Sequence, residues 1–320
     1  MPKPHVLATR CFPDAVNERL ARDYQARLNL EDRLYDPEKV IELAEGADAI
    51  MTCSTEKYPA AVIARLPASV RALATFSVGH EHIDLEAAEA RGLIVTNTPD
   101  VLTDSTADIT LLCLLGAARR AFEGQDMLRA GRWVGWTPTQ LVGVHVTGKR
   151  LGILGMGRIG RAVARRARGF DMEIHYHNRR RLPADLDAGA VFHEDPEAML
   201  GQIDFLSINC PASPETHRFL DARRIALLPD GAVVVNTARG QIVDDDALMQ
   251  ALRSGKLAAA GLDVFEGEPH VNPGYFDIPN AFLLPHLGSA TVETRNAMGF
   301  KCLDNLDAFF AGHEPPDRVA

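Results

Sequence analysis

Three glycines in "GMGRIG", Gly155, Gly157 and Gly160, stand directly after the apolar run "RLGIL" and open the helical pattern "RIGRAVARRARG". Strand, glycine turn and helix in that order make a phosphate cradle. Gly155 permits the tight turn, Gly157 lets backbone approach a pyrophosphate, and Gly160 lets the helix pack on the strand. The N–H groups of the first helical turn, which begins with Arg158 and Ile159, have no partner within the helix and lie at the positive end of its dipole. The plainer reading is a glycine-rich turn; the strand before, the helix after and a second strand beyond favour the cradle.

That second strand pattern, "MEIHYHN", ends at Asn178, 18 residues beyond Gly160. NAD-binding proteins place a carboxylate there to accept from the ribose 2′-OH, and that carboxylate would repel the extra phosphate of NADP. Here Asn178 is followed by Arg179, Arg180 and Arg181. Guanidinium groups bind phosphate through charge-assisted, often bidentate hydrogen bonds. The expectation is NADP(H) in preference to NAD(H), with Asn178, Arg179 and Arg180 at the phosphate; the competing reading is a solvated basic turn. Three further loops, "NTARGQIVDD", "VFEGEP" and "LLPHLGSAT", follow apolar runs and bring Arg239, Glu268 and His286 to the C-terminal ends of predicted strands. Ligands of open α/β sheets bind at that edge. Each residue alone has a bland reading as a structural or solvated side chain, but together beside a dinucleotide motif they read as a reaction site.

The elements that must position these residues alternate. "HVLAT", "ADAIMTC", "RALATFSVG" and "LIVTNTP" read as buried strands in the first hundred residues, with helical spacing in "DAVNERLARDY" and "DLEAAEARG". After Gly148 come six more strand patterns: "RLGILGM", "MEIHYHN", "DFLSINC", "AVVVNTA", "AAAGLDV" and "AFLLPH". Such alternation predicts an α/β protein with parallel sheets covered on both faces, the second series a doubly wound dinucleotide-binding sheet. Long helical patterns flank that series at about 102–121 and 291–310, and the stretch after the first reads as a partly helical excursion. Pattern alone divides the chain into residues 1–100, residues 101–287 and a C-terminal helix.

Composition excludes several classes. The chain has 320 residues, enough for two cores, and a formal net charge of −9, which does not draw nucleic acid or an anionic membrane through its overall field. No apolar run approaches the roughly 20 residues needed to span a bilayer, and the start "MPKPHVLATR" has no secretory pattern. Five widely spaced cysteines point to reduced thiols in a cytoplasmic setting.

The glycine motif, the long run "NCPASPETHRFLDARRIALLPDGAVVVNTARGQIVDDDALMQALRSGKLAAAGLDVFEGEP" and "PHLGSAT" closely resemble the D-isomer-specific 2-hydroxyacid dehydrogenases. Within that family, "FSVGHEHIDL" and "GRWVGWTP" resemble the glyoxylate/hydroxypyruvate reductase branch. The resemblance covers nearly the whole chain. It implies two doubly wound parallel-sheet domains: a flavodoxin-like substrate (catalytic) domain of residues 1–100 plus 288–320, and a Rossmann-type NAD(P)-binding domain of residues 101–287. It implies reduction of glyoxylate to glycolate or hydroxypyruvate to D-glycerate with NADPH. The alternatives are another small acid, D-lactate-like or phosphite, or a non-catalytic dinucleotide-sensing binding protein.

The same resemblance assigns roles. His286 is the general acid/base, Glu268 its carboxylate partner and Arg239 the substrate anchor. Hydride arriving at a ketone carbon gives its oxygen alkoxide character; an imidazolium can protonate that oxygen, and a neighbouring carboxylate favours the imidazolium. Arg239 can hold the substrate carboxylate and polarise the carbonyl. The backbone of Val78 and Gly79 should meet that carboxylate, with Ser54 and Thr55 lining the same side. Thr106, Cys210, Pro211, Thr237, Ala238, Asp263, Gly288 and Ser289 are cofactor contacts by resemblance; Asp263 also has a strand-end hydrogen-bonding reading. After Gly79 the family often has Tyr-Asp-His, whereas this chain has His80-Glu81-His82. That His-x-His pattern has no companion ligand cluster, so no metal is expected. In similar reductases the loop of Trp133 and Trp136 crosses a homodimer interface, the plainer reading of both being local packing. His175 and His177, on one face of a predicted strand, receive no chemistry.

Overall fold

The computed structural model describes residues 2–320. The chain forms two compact units. The first runs through Leu102 and resumes at Ala290–Ala320; the second is Thr103–Ser289.

The first unit is built on five parallel strands: β1 (His5–Ala8), β2 (Gln25–Arg27), β3 (Ala49–Thr52), β4 (Ala72–Thr75) and β5 (Ile94–Thr96). Their order, β2-β1-β3-β4-β5, is the flavodoxin-like one. β3 and β4 are buried along their whole length, which is why "AIMT" and "ALAT" are continuous apolar runs rather than alternating ones. β2 was not visible as a strand pattern. It is a three-residue edge strand, "QAR", with no buried residue, so it carries no hydrophobic signal. The helix Val292–Phe310 packs on β4 and on the helix Asp14–Asp23. A Cβ at Gly299 would lie 2.3 Å from the Val16 side chain, so glycine sets the closeness of that helix pair.

The second unit carries seven parallel strands: β6 (Arg150–Leu154), β7 (Glu173–His177), β8 (Val191–Phe192), β9 (Phe205–Ile208), β10 (Ala232–Asn236), β11 (Leu257–Leu262) and β12 (Ala281–Leu283). The order is β12-β11-β10-β9-β6-β7-β8. Chain order reverses between β6 and β9, the switch point where such sheets bind ligands. Six strand patterns were expected; the seventh, β8, is a two-residue edge strand too short to show a period.

The helix Thr103–Ala118 covers β10, β11 and β12. From Leu111 onward it is apolar, and Gly261 of β11 lets its Cys113 carbonyl come within 2.5 Å of where a Cβ would stand. Beyond a left-handed residue, Arg120, the helix Ala121–Arg129 begins the excursion. Residues 130–148 are irregular and leave Trp133, Val134, Trp136 and Val142 exposed. No helix among the described residues is long and apolar enough to cross a membrane.

Candidate active site

The glycine turn forms as its spacing requires. Gly155 has a φ of +93°, and a Cβ there would lie 2.6 Å from the Cys210 backbone; a Cβ on Gly160 would lie 2.5 Å from the Gly155 carbonyl oxygen. Both positions are closed to any side chain. At Gly157 a Cβ would meet nothing within 4 Å, so its bareness leaves open space rather than serving packing. Gly157 is also the N-cap of the helix Arg158–Ala167, and no side chain caps that helix. An open cradle facing uncapped amide groups fits a dinucleotide pyrophosphate.

Asn178 lies beside this turn. Its Oδ1 accepts from the Met156 N–H at 2.6 Å, so its amide nitrogen is the polar group left to present, a donor where an NAD-type site has an acceptor. Arg179 and Arg180 are exposed. The charge of Arg179 helps hold the exposed Glu215 carboxyl below its ordinary value, after hydrogen bonds from Ser213 and its own backbone. Arg181 is drawn aside, 3.9 Å from Asp187. Cys210 and Pro211 follow β9 across the switch point, and burial pushes the Cys210 thiol up to about 11, so it is no ready thiolate.

The reactive side chains come from loops after β10, β11 and β12. β10 and β11 run in register through Asn236 and Leu262, so their loops emerge together. The Asn236 side chain ties its own loop, accepting from the Ala238 N–H (3.0 Å) and donating to the Arg239 carbonyl (2.9 Å). Arg239 is half-buried, and its guanidinium donates to the Ala238 carbonyl at 2.7 Å. A Cβ on Gly240 would stand 1.9 Å from the Phe265 carbonyl carbon. Only glycine lets the two loops lie this close. Glu268 divides its oxygens: Oε1 accepts from the Phe265 N–H at 2.8 Å, and Oε2 lies 2.7 Å from His286 Nδ1. Burial alone would raise this carboxyl. The His286 bond and charge, the Phe265 amide and Arg239 together bring it below its ordinary value.

His286 has a φ of +55°, left-handed for a residue with a Cβ. Asp263 holds it there. The His286 N–H donates to the Asp263 carbonyl (2.9 Å), and the next two amides, Leu287 and Gly288, donate to its carboxylate at 2.7 and 2.8 Å. Asp263 is 1% exposed; burial raises its carboxyl, and those amides offset part of the rise. Its strand-end role is thus the one the geometry displays. Thr106 is buried and donates to the Gly288 carbonyl at 3.3 Å, while the Thr237 hydroxyl pairs with Thr110 at 2.7 Å. Ala238 and Ser289 are half-buried on the same loops.

In the first unit, Ser54 and Thr55 are exposed after β3, where Arg10 donates to the Thr55 hydroxyl at 2.7 Å. Val78 and Gly79 follow β4. Their carbonyls accept from the Asn97 amide (2.8 Å) and the Ser77 hydroxyl (2.7 Å), and among the described residues their N–H groups donate to no protein acceptor. Asn97, Asn236 and Gly240 were not singled out from sequence. Asn236 had a local signal, an Asx residue bonding two positions on; Asn97 had none.

A doubly wound sheet with a glycine cradle at its switch point, and a carboxylate–imidazole pair beside an arginine at the same edge, define a dinucleotide-dependent oxidoreductase of the α/β class. Residues 111–288 match the model of the D-isomer specific 2-hydroxyacid dehydrogenase NAD binding domain. The chain is 43% identical to a glycerate dehydrogenase of Hyphomicrobium methylovorum over 98% of both chains. It is 40% identical to a glyoxylate reductase of Thermococcus litoralis, covering 99% of this chain and 97% of that one. Among solved structures, an NADPH-dependent glyoxylate/hydroxypyruvate reductase from Sinorhizobium meliloti, in complex with NADP and malonate, superposes with a TM-score of 0.89 at 35% identity, covering 99% of this chain and 97% of the other. The protein belongs to the D-isomer specific 2-hydroxyacid dehydrogenase family.

Proposed function

We propose that the protein reduces a small 2-oxo acid, glyoxylate or hydroxypyruvate, and prefers NADPH. The observation that carries the chemistry is the 2.7 Å pairing of Glu268 with His286 Nδ1. An ionised Glu268 accepts a hydrogen there, so Nε2 is the nitrogen that gains or loses a proton toward substrate. The bound dinucleotide supplies the hydride. His286 Nε2–H donates its proton to the substrate carbonyl oxygen as charge develops on it. Glu268 holds the ring and offsets its positive charge, and Arg239 anchors the substrate carboxylate and polarises its carbonyl. From the first unit, the Val78 and Gly79 amides are assigned to that carboxylate, with Ser54 as a further substrate contact.

The cofactor preference rests on Asn178, turned to present its nitrogen, and on Arg179 and Arg180, with no carboxylate at the end of β7. The named relatives act on glyoxylate, hydroxypyruvate or glycerate, and one binds NADP. Five free thiols fit a cytoplasmic setting. The exposed Trp133, Val134 and Trp136 fit a homodimer interface. The direct test is His286→Asn. Reduction should fall by about 10²–10⁴ while NADPH still binds; turnover retained near wild type would remove His286 from the proton transfer.

A further inference from the structure

Behind the Val78–Gly79 turn lies a chain of three buried side chains that none of the assigned roles uses. Thr75 is 0% exposed, His82 7% and Ser77 9%. His82 Nε2 lies 2.9 Å from the Thr75 hydroxyl, which lies 2.9 Å from the Ser77 hydroxyl, which donates to the Gly79 carbonyl at 2.7 Å.

The direction of this chain is fixed by counting hydrogens. A carbonyl only accepts, so the single Ser77 hydrogen goes to Gly79. The Ser77 oxygen must then receive the hydrogen of Thr75. Thr75 has none left, so His82 Nε2 must be the donor. The neutral Nε2–H tautomer and the imidazolium both satisfy that demand.

A peptide group is planar and trans, so fixing one carbonyl aims the next residue's N–H the opposite way. Asn97, bonded to the Val78 carbonyl, aims the Gly79 N–H. Ser77, bonded to the Gly79 carbonyl, aims the His80 N–H. Among the described residues neither amide donates to a protein acceptor. Glycine makes rotation of the Gly79–His80 peptide cheap, so something must select its orientation. We infer that His82, Thr75 and Ser77 are positioning residues, a one-way hydrogen-bond relay that locks this peptide and adds the His80 N–H to the amides offered to the substrate carboxylate. Successive N–H groups turned to one side make an anion-binding concavity. The inference rests on assigning the Val78–Gly79 turn to that carboxylate.

The test measures glyoxylate kinetics and binding of oxalate, a non-reacting dicarboxylate, to the enzyme–cofactor complex. Ser77→Ala and Thr75→Val should each raise the glyoxylate KM and the oxalate Kd together, by about tenfold, with kcat and cofactor KM changed by less than about twofold. Thr75→Ser and His82→Gln keep a donor in place and should return both values to near wild type; His82→Leu should not. The double variant Thr75→Val/Ser77→Ala should be no worse than Ser77→Ala, because a chain cut twice loses nothing more. Unchanged oxalate binding in Ser77→Ala, or losses that add and track a falling Tm, would overturn the relay and leave the turn as the carboxylate site. A wild-type enzyme that turns over glyoxylate yet shows no oxalate binding would overturn the assignment of the turn, and the relay with it.

Discussion

Glu268 meets a backbone amide with one oxygen and His286 with the other, and the proposed proton transfer depends on the second contact. Glu268 is held below its ordinary value, so it meets His286 as a carboxylate near neutrality. Glu268→Gln removes the charge that meets His286 Nδ1 and keeps the shape of the side chain. The kcat for reduction should then fall about tenfold or more while the cofactor KM holds; an unchanged kcat would mean the carboxylate only holds the loop. At this scale the sequence could place Arg239, Glu268 and His286, because each follows an apolar strand run closely. The partners that hold them were not legible. Asp263 clamps amides 24 and 25 residues away, and the His175 ring meets His193, 2.9 Å away, across β7 and β8. Only folding makes such pairs neighbours.

Among the elements, the turn after β6 separates two kinds of glycine. Gly155→Ala puts a Cβ at positive φ against the Cys210 backbone and should destabilise the fold by about 2 kcal/mol or more. Gly157→Ala has open space around it, so Tm should hold while the cofactor KM rises about tenfold. Thermal unfolding beside cofactor kinetics separates the two; equal losses of stability would show that the space at Gly157 is not a ligand cradle. At the end of β7, Arg179→Asp with Arg180→Ala should lower kcat/KM for NADPH about 10- to 100-fold more than for NADH. Equal losses would reduce the arginines to a solvated turn. Strands such as β3, β10 and β11 could be read because burial on both faces writes continuous apolar runs. β2 and β8, short edge strands, leave no such trace.

For the whole molecule, charge pairs away from the site set its tolerance of acid. Asp204 accepts from Arg150 through backbone and side chain at 2.8–3.0 Å, and the Arg150 bonds hold its carboxyl below its ordinary 3.8 despite burial. A depressed carboxyl contributes stability above its unfolded value and loses it as pH falls through the folded one. Asp204→Asn should therefore lower Tm by about 2–4 °C near neutrality, and the gap should close in strong acid; a gap independent of pH would assign the loss to packing. The activity proposed for this scaffold is the reduction of small 2-oxo acids with NADPH. The most direct test is the initial rate of NADPH and NADH oxidation with glyoxylate, hydroxypyruvate and pyruvate. Fast turnover of NADPH with the first two, and slower turnover with NADH, is the predicted result. Turnover with NADH alone would contradict the role of Asn178, Arg179 and Arg180, and binding of either cofactor without turnover of any of the three acids would contradict the reductase reading itself.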